Sequence, residues 1–156
     1  MPHRRALTPG EVALAREMFG EAIDYSRVRI VLGKWAFFQP RETVMAPRGH
    51  IHCHPKGQTW REDYAAGSIS DQGLFLHEMT HVWQHQSGIF LPIARHPFCR
   101  YGYTLVPGKP FSRYGIEQQA EIVRHAWMWQ RGLDLPHGVT IDELAKTIET
   151  APFARA

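Results

Sequence analysis

Apolar and polar positions along the chain follow two different periods, and the division between them predicts the order of elements. Val12, Leu14, Ala15, Met18 and Phe19 recur at helical spacing behind Thr8-Pro9-Gly10-Glu11, a start signal with Thr as N-cap, Pro at the first helical position and Glu closing a capping box, and Gly20 ends the run. Val28 to Leu32 alternates and is rich in β-branched residues, as a strand should be. Trp35 to Phe38 and Thr43 to Ala46 read as two shorter strands, set apart by Gly33, Pro40 and Pro47. A second helical pattern of about 18 residues opens at Ser68 with Asp71 as its capping-box partner and stops at Ser87-Gly88. A third runs from Ile116 to Arg131 and is closed by Gly132. A fourth, short one opens at Thr140-Ile141-Asp142-Glu143 and stops before Pro152. Between the second and third helices, residues 89 to 114 carry four prolines and no sustained period. A loop of that length in a compact domain is usually functional, and it is expected to form a wall of a cleft. The pattern predicts an α+β fold over residues 1–156 as a single domain, with a short N-terminal sheet packed on the second helix.

That second helix carries the chemistry. On a wheel of 100° per residue, Leu74, His77, Glu78, His81 and His85 fall on one side, and Phe75, Met79, Val82 and Trp83 on the other. His77-Glu78-Met79-Thr80-His81 is an H-E-x-x-H pattern. Two His four residues apart project from consecutive turns of one face and can meet one Zn²⁺, while the intervening Glu is placed to take a proton from water at the open metal position. A catalytic zinc usually takes a third protein ligand. His85 extends the same face but lies two turns, about 12 Å, from His77, too far for one ion on a straight helix. The metzincin spacing also fails, because Gln84 and Ser87 stand where it needs Gly and His. The third helix offers Glu117 and Glu121, four apart on one face, beside an apolar stripe of Ile116, Ala120, Val123 and Trp127 in which Ala120 permits close approach. His50, His52 and His54 alternate along a predicted strand face and form a rival metal pair, with no carboxylate or Cys cluster at informative spacing.

Composition narrows the alternatives. A formal charge of +3 and a pI near 9.1 are mildly basic, but without a Lys/Arg run or aromatic-basic alternation, so a nucleic-acid partner is not expected. Cys53 and Cys99 are too few for a disulfide framework and read as ordinary thiols. No signal peptide is legible and no apolar run approaches the roughly 18 residues of a membrane span. The expected location is therefore cytoplasmic by default, with export by a specialised route left open and no membrane partner expected.

The H-E-x-x-H helix followed by Glu117-Gln118-Gln119-Ala120-Glu121 resembles the gluzincin branch of the zincin metallopeptidases, whose second helix carries Glu-x-x-small-acid. The resemblance implies a zincin-like fold, zinc on His77, His81 and Glu117, Glu78 as the catalytic base, and Glu121 as the acid that orients a ligand His. Ile116 stands where that family often has Asn, so Glu121 stays an alternative third ligand. Leu7 to Ala15, Ile23 to Arg29 and His77 to Gln86 are also similar to small bacterial proteins labelled Vgr-related, which implies a secretion-system partner. On this footing the chain is expected to be a zinc-dependent peptidase acting on peptide or protein substrates through a Glu-activated water on the metal. Tyr101, Tyr103, Tyr114 and His125 are candidate donors to the developing oxyanion, and the His50 to His54 strand is a candidate edge for pairing with extended substrate. The rival expectation is a non-catalytic or partner-activated zinc-binding accessory protein, in which His85, His96 or His125 closes the metal site.

Overall fold

The computed structural model describes residues 3–89 and 102–155. Strand β1 (His3–Ala6) leads into helix α1 (Pro9–Phe19), strands β2 (Arg29–Leu32) and β3 (Ile51–Cys53) follow, and then come helices α2 (Ile69–Gln86), α3 (Ile116–Gln130) and α4 (Ile141–Glu149). The sheet has the order β1-β2-β3: β1 runs antiparallel to β2, with Arg4 opposite Val31, and β3 runs parallel to it, with His52 opposite Val31. This is a small α+β arrangement, as the periodicity predicts.

The predicted helix signals are used as read. Thr8 and Glu11 form the α1 capping box, Ser68 and Asp71 the α2 box, and Gly88 ends α2 with φ at +94°, a backbone conformation that Gly enters without strain. Thr140 precedes α4 but makes no side-chain cap bond, so the expected box there is not formed.

The strand assignments need correction. Residues 35–38 are a turn rather than a strand, closed by Gln39 N–H donating to Ala36 O and by Trp35 N–H donating to the Gln39 side chain. Of 43–46, only Met45 pairs, through an isolated antiparallel bridge to His52. The aromatic residues that imitate strand composition at 35–38 turn outward instead, as β-propensity largely measures packing that this loop does not have. Strand β1 was not anticipated, because His3-Arg4-Arg5-Ala6 has no apolar alternation.

What fixes β1 is a buried carboxylate. Glu11 is fully buried and accepts from both Arg5 guanidinium ends at 2.7 and 2.8 Å, from Thr8 N–H at 2.9 Å and from Tyr64 N–H at 2.8 Å. It ties β1, the α1 cap and the Tyr64–Ala66 turn together, with its lone pairs matched by donors. The core draws on every helix: Phe19, Trp83, Phe111 and Phe153 meet at ring distances of 4.9 to 6.1 Å, and Phe75, Met79, Trp127 and Leu144 join the same buried cluster.

Candidate metal centre

Helix α2 is buried on both sides, from Phe75 through Gln84. Its apolar back meets the core, and its His/Glu front is covered by α3. Ala120, fully buried, lets the helices come close, and Gly73 leaves room for Arg124, whose Nε would stand 3.0 Å from any Cβ at that position. The close crossing carries the polar faces of α2 and α3 into one water-poor seam.

In that seam His77, His81 and Glu117 each direct a donor atom at a common point, all within 4.8 Å of one another and all buried. His77 Nε2 lies 3.2 Å from Glu117 Oε2, and His81 Nε2 lies 2.9 Å from Glu117 Oε1. Ligands on a tetrahedral zinc stand about 3.4 Å apart, so the three donors are already nearly at ligand spacing. Glu121 is placed differently: its Oε1 is 3.8 Å from His77 Nδ1, on the far side of that ring, at ion-pair rather than hydrogen-bond distance. The structure thus brings Glu117 into the donor group and sets Glu121 behind His77.

A relay of two glutamines sets the tautomer of His81. Gln119 Nε2 donates to Tyr114 O at 2.9 Å, which leaves Gln119 Oε1 to accept from Gln84 Nε2 at 2.9 Å; the same Nε2 donates to Ile116 O at 3.0 Å. Gln84 Oε1 is therefore the acceptor for His81 Nδ1–H at 2.8 Å. The neutral imidazole then carries its lone pair on Nε2. That atom is buried 2.9 Å from a carboxylate oxygen yet makes no hydrogen bond in proper geometry. Two acceptors at that distance repel unless a proton or a cation lies between them, so the residues present fit a metal ion. Neither glutamine was singled out in the sequence; Gln84, three residues past His81 on the same helix, was the available signal.

Burial pulls the His77 imidazole down, but hydrogen bonding to Glu117 and the nearby Glu121 and Glu78 charges raise it to about 9 in the metal-free protein. Glu121 in turn is pushed up by its own burial and carried below the usual carboxylate range by His77, with Arg124 and His125 adding to this. Glu78 follows His77 on α2 and is buried beside it. The Cys53 thiol, near Glu78, is pushed up by burial and contacts Tyr64 OH at 3.2 Å, consistent with an inert core thiol. Cys99 lies outside the described residues.

Of the candidate oxyanion donors, Tyr103 and His125 meet at the site. Tyr103 Oη is 2.5 Å from His125 Nδ1, and His125 Nε2 is 3.8 Å from Glu121 Oε2. These three line a cavity of about 300 Å³ with Gly102, Pro136 and Val139, so the described part of the proline-rich stretch does form a cleft wall. Burial lowers the His125 imidazole, leaving it neutral. Tyr114 engages Val106 N–H with its hydroxyl at 2.9 Å and holds its ring under Lys109. Tyr101 and His96 lie outside the described residues.

The rival histidines do not converge. His50 Nδ1 accepts from Arg29 N–H, His54 Nδ1 accepts from Lys56 N–H, and His52 Nδ1 faces Gly33 O. Nor is β3 open along its outer edge, since both backbone groups of His52 bond Met45. Substrate pairing at His52 is therefore closed off. His85 is exposed and packs against Gly49, outside the donor group.

No family model matches the sequence. The chain is 45% identical over 130 residues to the type VI secretion system spike protein VgrG2b of Pseudomonas aeruginosa, an alignment covering 77% of this chain and 12% of that protein. It also superposes on the solved effector domain of Pseudomonas aeruginosa VgrG2b with a TM-score of 0.77 and 37% identity, covering 93% of this chain and 79% of that domain. The chain belongs to the VgrG2b effector-domain family. It spans only 12% of the length of the spike relative, so the likeness is to the effector part rather than to a whole spike. The Vgr-related resemblance is thereby borne out, and the chain carries a buried donor group able to hold a metal ion.

Proposed function

We propose that the chain is a metal-dependent effector module of a secretion spike and that its chemistry is hydrolysis of peptide bonds by a gluzincin-type centre in a single zincin-like domain, residues 1–156. The carrying observation is the buried acceptor group His77, His81 and Glu117 with Glu78 adjoining it. Two imidazoles and one carboxylate suit zinc. When bound, zinc would polarise the scissile carbonyl and acidify a water.

The chain's own groups then divide the work. Glu78 accepts the proton of the attacking water and passes it to the leaving amine. Glu121, behind His77 Nδ1, fixes that ring and raises its basicity as a ligand, and Gln84 does the same for His81. Neutral His125 with Tyr103 lies along the cleft, where either can donate to the oxyanion as charge develops. Among the described residues the group has three protein donors, which supports an open position for substrate over a closed structural site.

Kinship with a spike effector domain favours a second reading as well. A chain that corresponds to a small part of a spike protein has a natural partner in the rest of such a spike, and its activity would then require that partner or delivery. In either reading the chain acts after export rather than in the cytoplasm. Among the described residues no helix is long and apolar enough to cross a membrane.

The test is metal content together with chelator-reversible cleavage of a denatured general protein substrate, run on wild type and Glu78→Gln side by side. One zinc per chain, with cleavage lost only in the variant, is the expected result. Stoichiometric zinc without cleavage by either protein moves the assignment to the partner-activated reading, and absence of zinc binding overturns both.

A further inference from the structure

The loop after β2 displays aromatic surface that nothing in the fold requires. Phe37 is 88% exposed and Phe38 57%, and both stand beside Trp35: Phe38 meets Trp35 at 5.8 Å and Phe37 at 5.4 Å between ring centres, in edge-to-face contacts. Exposed large apolar groups clustered at one point mark an interaction site, whereas isolated ones do not.

The loop is also built to be held. Gln39 is buried beneath it at 3% exposure and takes Trp35 N–H on its side-chain oxygen, while its amide donates to Thr43 O and His52 O at 2.9 Å each. The rings are thus mounted on the end of the sheet by a satisfied polar anchor. The charge around them is mostly positive, with Glu42 the exposed acid beside it, accepting from Gln58 N–H. Exposed Lys34 and Arg41 bracket the loop, and Lys56 sits on a turn that packs against it so closely that a Cβ on Gly57 would meet Arg41 O at 1.9 Å.

We propose that residues 33–41 form a docking finger that seats Trp35, Phe37 and Phe38 in the interface of an anionic lipid surface. Aromatic rings partition into the headgroup and acyl boundary, and Lys and Arg beside them meet the anionic headgroups, the combination that gives interfacial attachment without a span. The basic rim selects lipid over a second copy of the chain, whose corresponding loop would bring the same positive charge against it. The expectation of no membrane partner rests on the lack of a spanning apolar run, which does not bear on interfacial attachment. Exposure of the rings is a property of the fold.

Co-sedimentation with vesicles of phosphatidylcholine containing phosphatidylglycerol, against phosphatidylcholine alone, tests the proposal on the full chain. Wild type should bind the anionic vesicles several-fold better, and added salt should weaken that binding. Lys34→Glu with Arg41→Glu should remove the preference, at about fivefold per residue. Phe37→Ser with Phe38→Ser should weaken partitioning at least about tenfold. Both side chains point to solvent, so metal uptake in the variant should match wild type and certify its fold. Equal vesicle binding by the Phe variant, equal binding to both lipids, or no vesicle binding by wild type overturns the proposal. Concentration-dependent dimers abolished by the Phe substitutions, without vesicle binding, would assign the rings to a second copy instead.

Discussion

Gln84→Met is the perturbation that most directly examines the donor group. Methionine nearly preserves the volume of the fully buried glutamine, so packing is little changed, but three hydrogen bonds go: His81 Nδ1–H to Gln84 Oε1, and the two from Gln84 Nε2 to Ile116 O and Gln119 Oε1. Two buried partners, the His81 N–H and the Gln119 oxygen, are left without their acceptor or donor, each costing about 1–3 kcal/mol. A loss of about 2–6 kcal/mol in folding stability is expected. His81 also loses the acceptor that holds its proton on Nδ1, so part of the population carries the proton on Nε2, the atom that must face the metal. Loss of an outer partner of this kind typically lowers metal affinity about 10- to 100-fold.

Gln84→Glu separates the two effects. A carboxylate still accepts from His81 Nδ1–H, so metal affinity should be largely kept. The same carboxylate faces Ile116 O and Gln119 Oε1 with no proton to give, so stability should fall much as in the Met variant. The assays are metal competition against a chromophoric chelator, denaturant unfolding with and without metal, and ¹⁵N chemical shifts of the His81 ring in the metal-free protein. If Gln84→Met binds metal as tightly as wild type and keeps Nδ1 protonated, the relay does not set the tautomer and the reasoning fails.

Two further outcomes follow from other buried charges. In the metal-free chain His77 titrates at about 9 rather than the ordinary 6.5, so its pairing with Glu117 stabilises the fold fully below about 6.5 and that contribution fades as pH rises through 9; metal uptake displaces the same proton, so affinity should climb across the same window, and parallel trends in unfolding and metal competition would contradict the assignment. Glu11→Ala strips the bidentate Arg5 partner and two backbone donors of their acceptor, so denaturant unfolding should show a loss of about 3 kcal/mol or more with metal stoichiometry unchanged, while a loss below about 1 kcal/mol would mean the network is solvated in solution.

Much of this was legible because helices announce themselves locally. A capping box, an apolar stripe and a glycine stop all lie between Ser68 and Gly88, and α2 meets all three conditions, so its bounds and its His/Glu front could be read directly. Glu117 was legible for the same reason: its helix is periodic, and i,i+4 acids share a face. Choosing between Glu117 and Glu121 was not, since that depends on the crossing of α2 and α3, set by Gly73 and Ala120 at long range. The sheet was the poorest reading. Its strands are three and four residues long, β1 is polar, and the pairing that creates it runs through Glu11, whose burial no local pattern reveals. At 35–38, strand-like composition marked surface chemistry instead.

The molecule divides into two workplaces. Among the described residues every donor of the metal group comes from α2 or α3, and the groups that orient them, Glu121, Gln84 and Gln119, come from the same pair of helices. The sheet contributes no ligand, and its rival histidines are taken up by backbone. What the sheet does hold is the aromatic loop, anchored through Gln39 to His52 on β3. The two functions therefore have separate supports, and substitutions should respect the division. Gln84→Met should alter metal affinity and leave vesicle binding at the wild-type level, whereas Phe37→Ser with Phe38→Ser should do the reverse. If either variant moved both properties, the helix pair and the sheet would have to be coupled, for instance where Cys53 on β3 lies near Glu78 on α2.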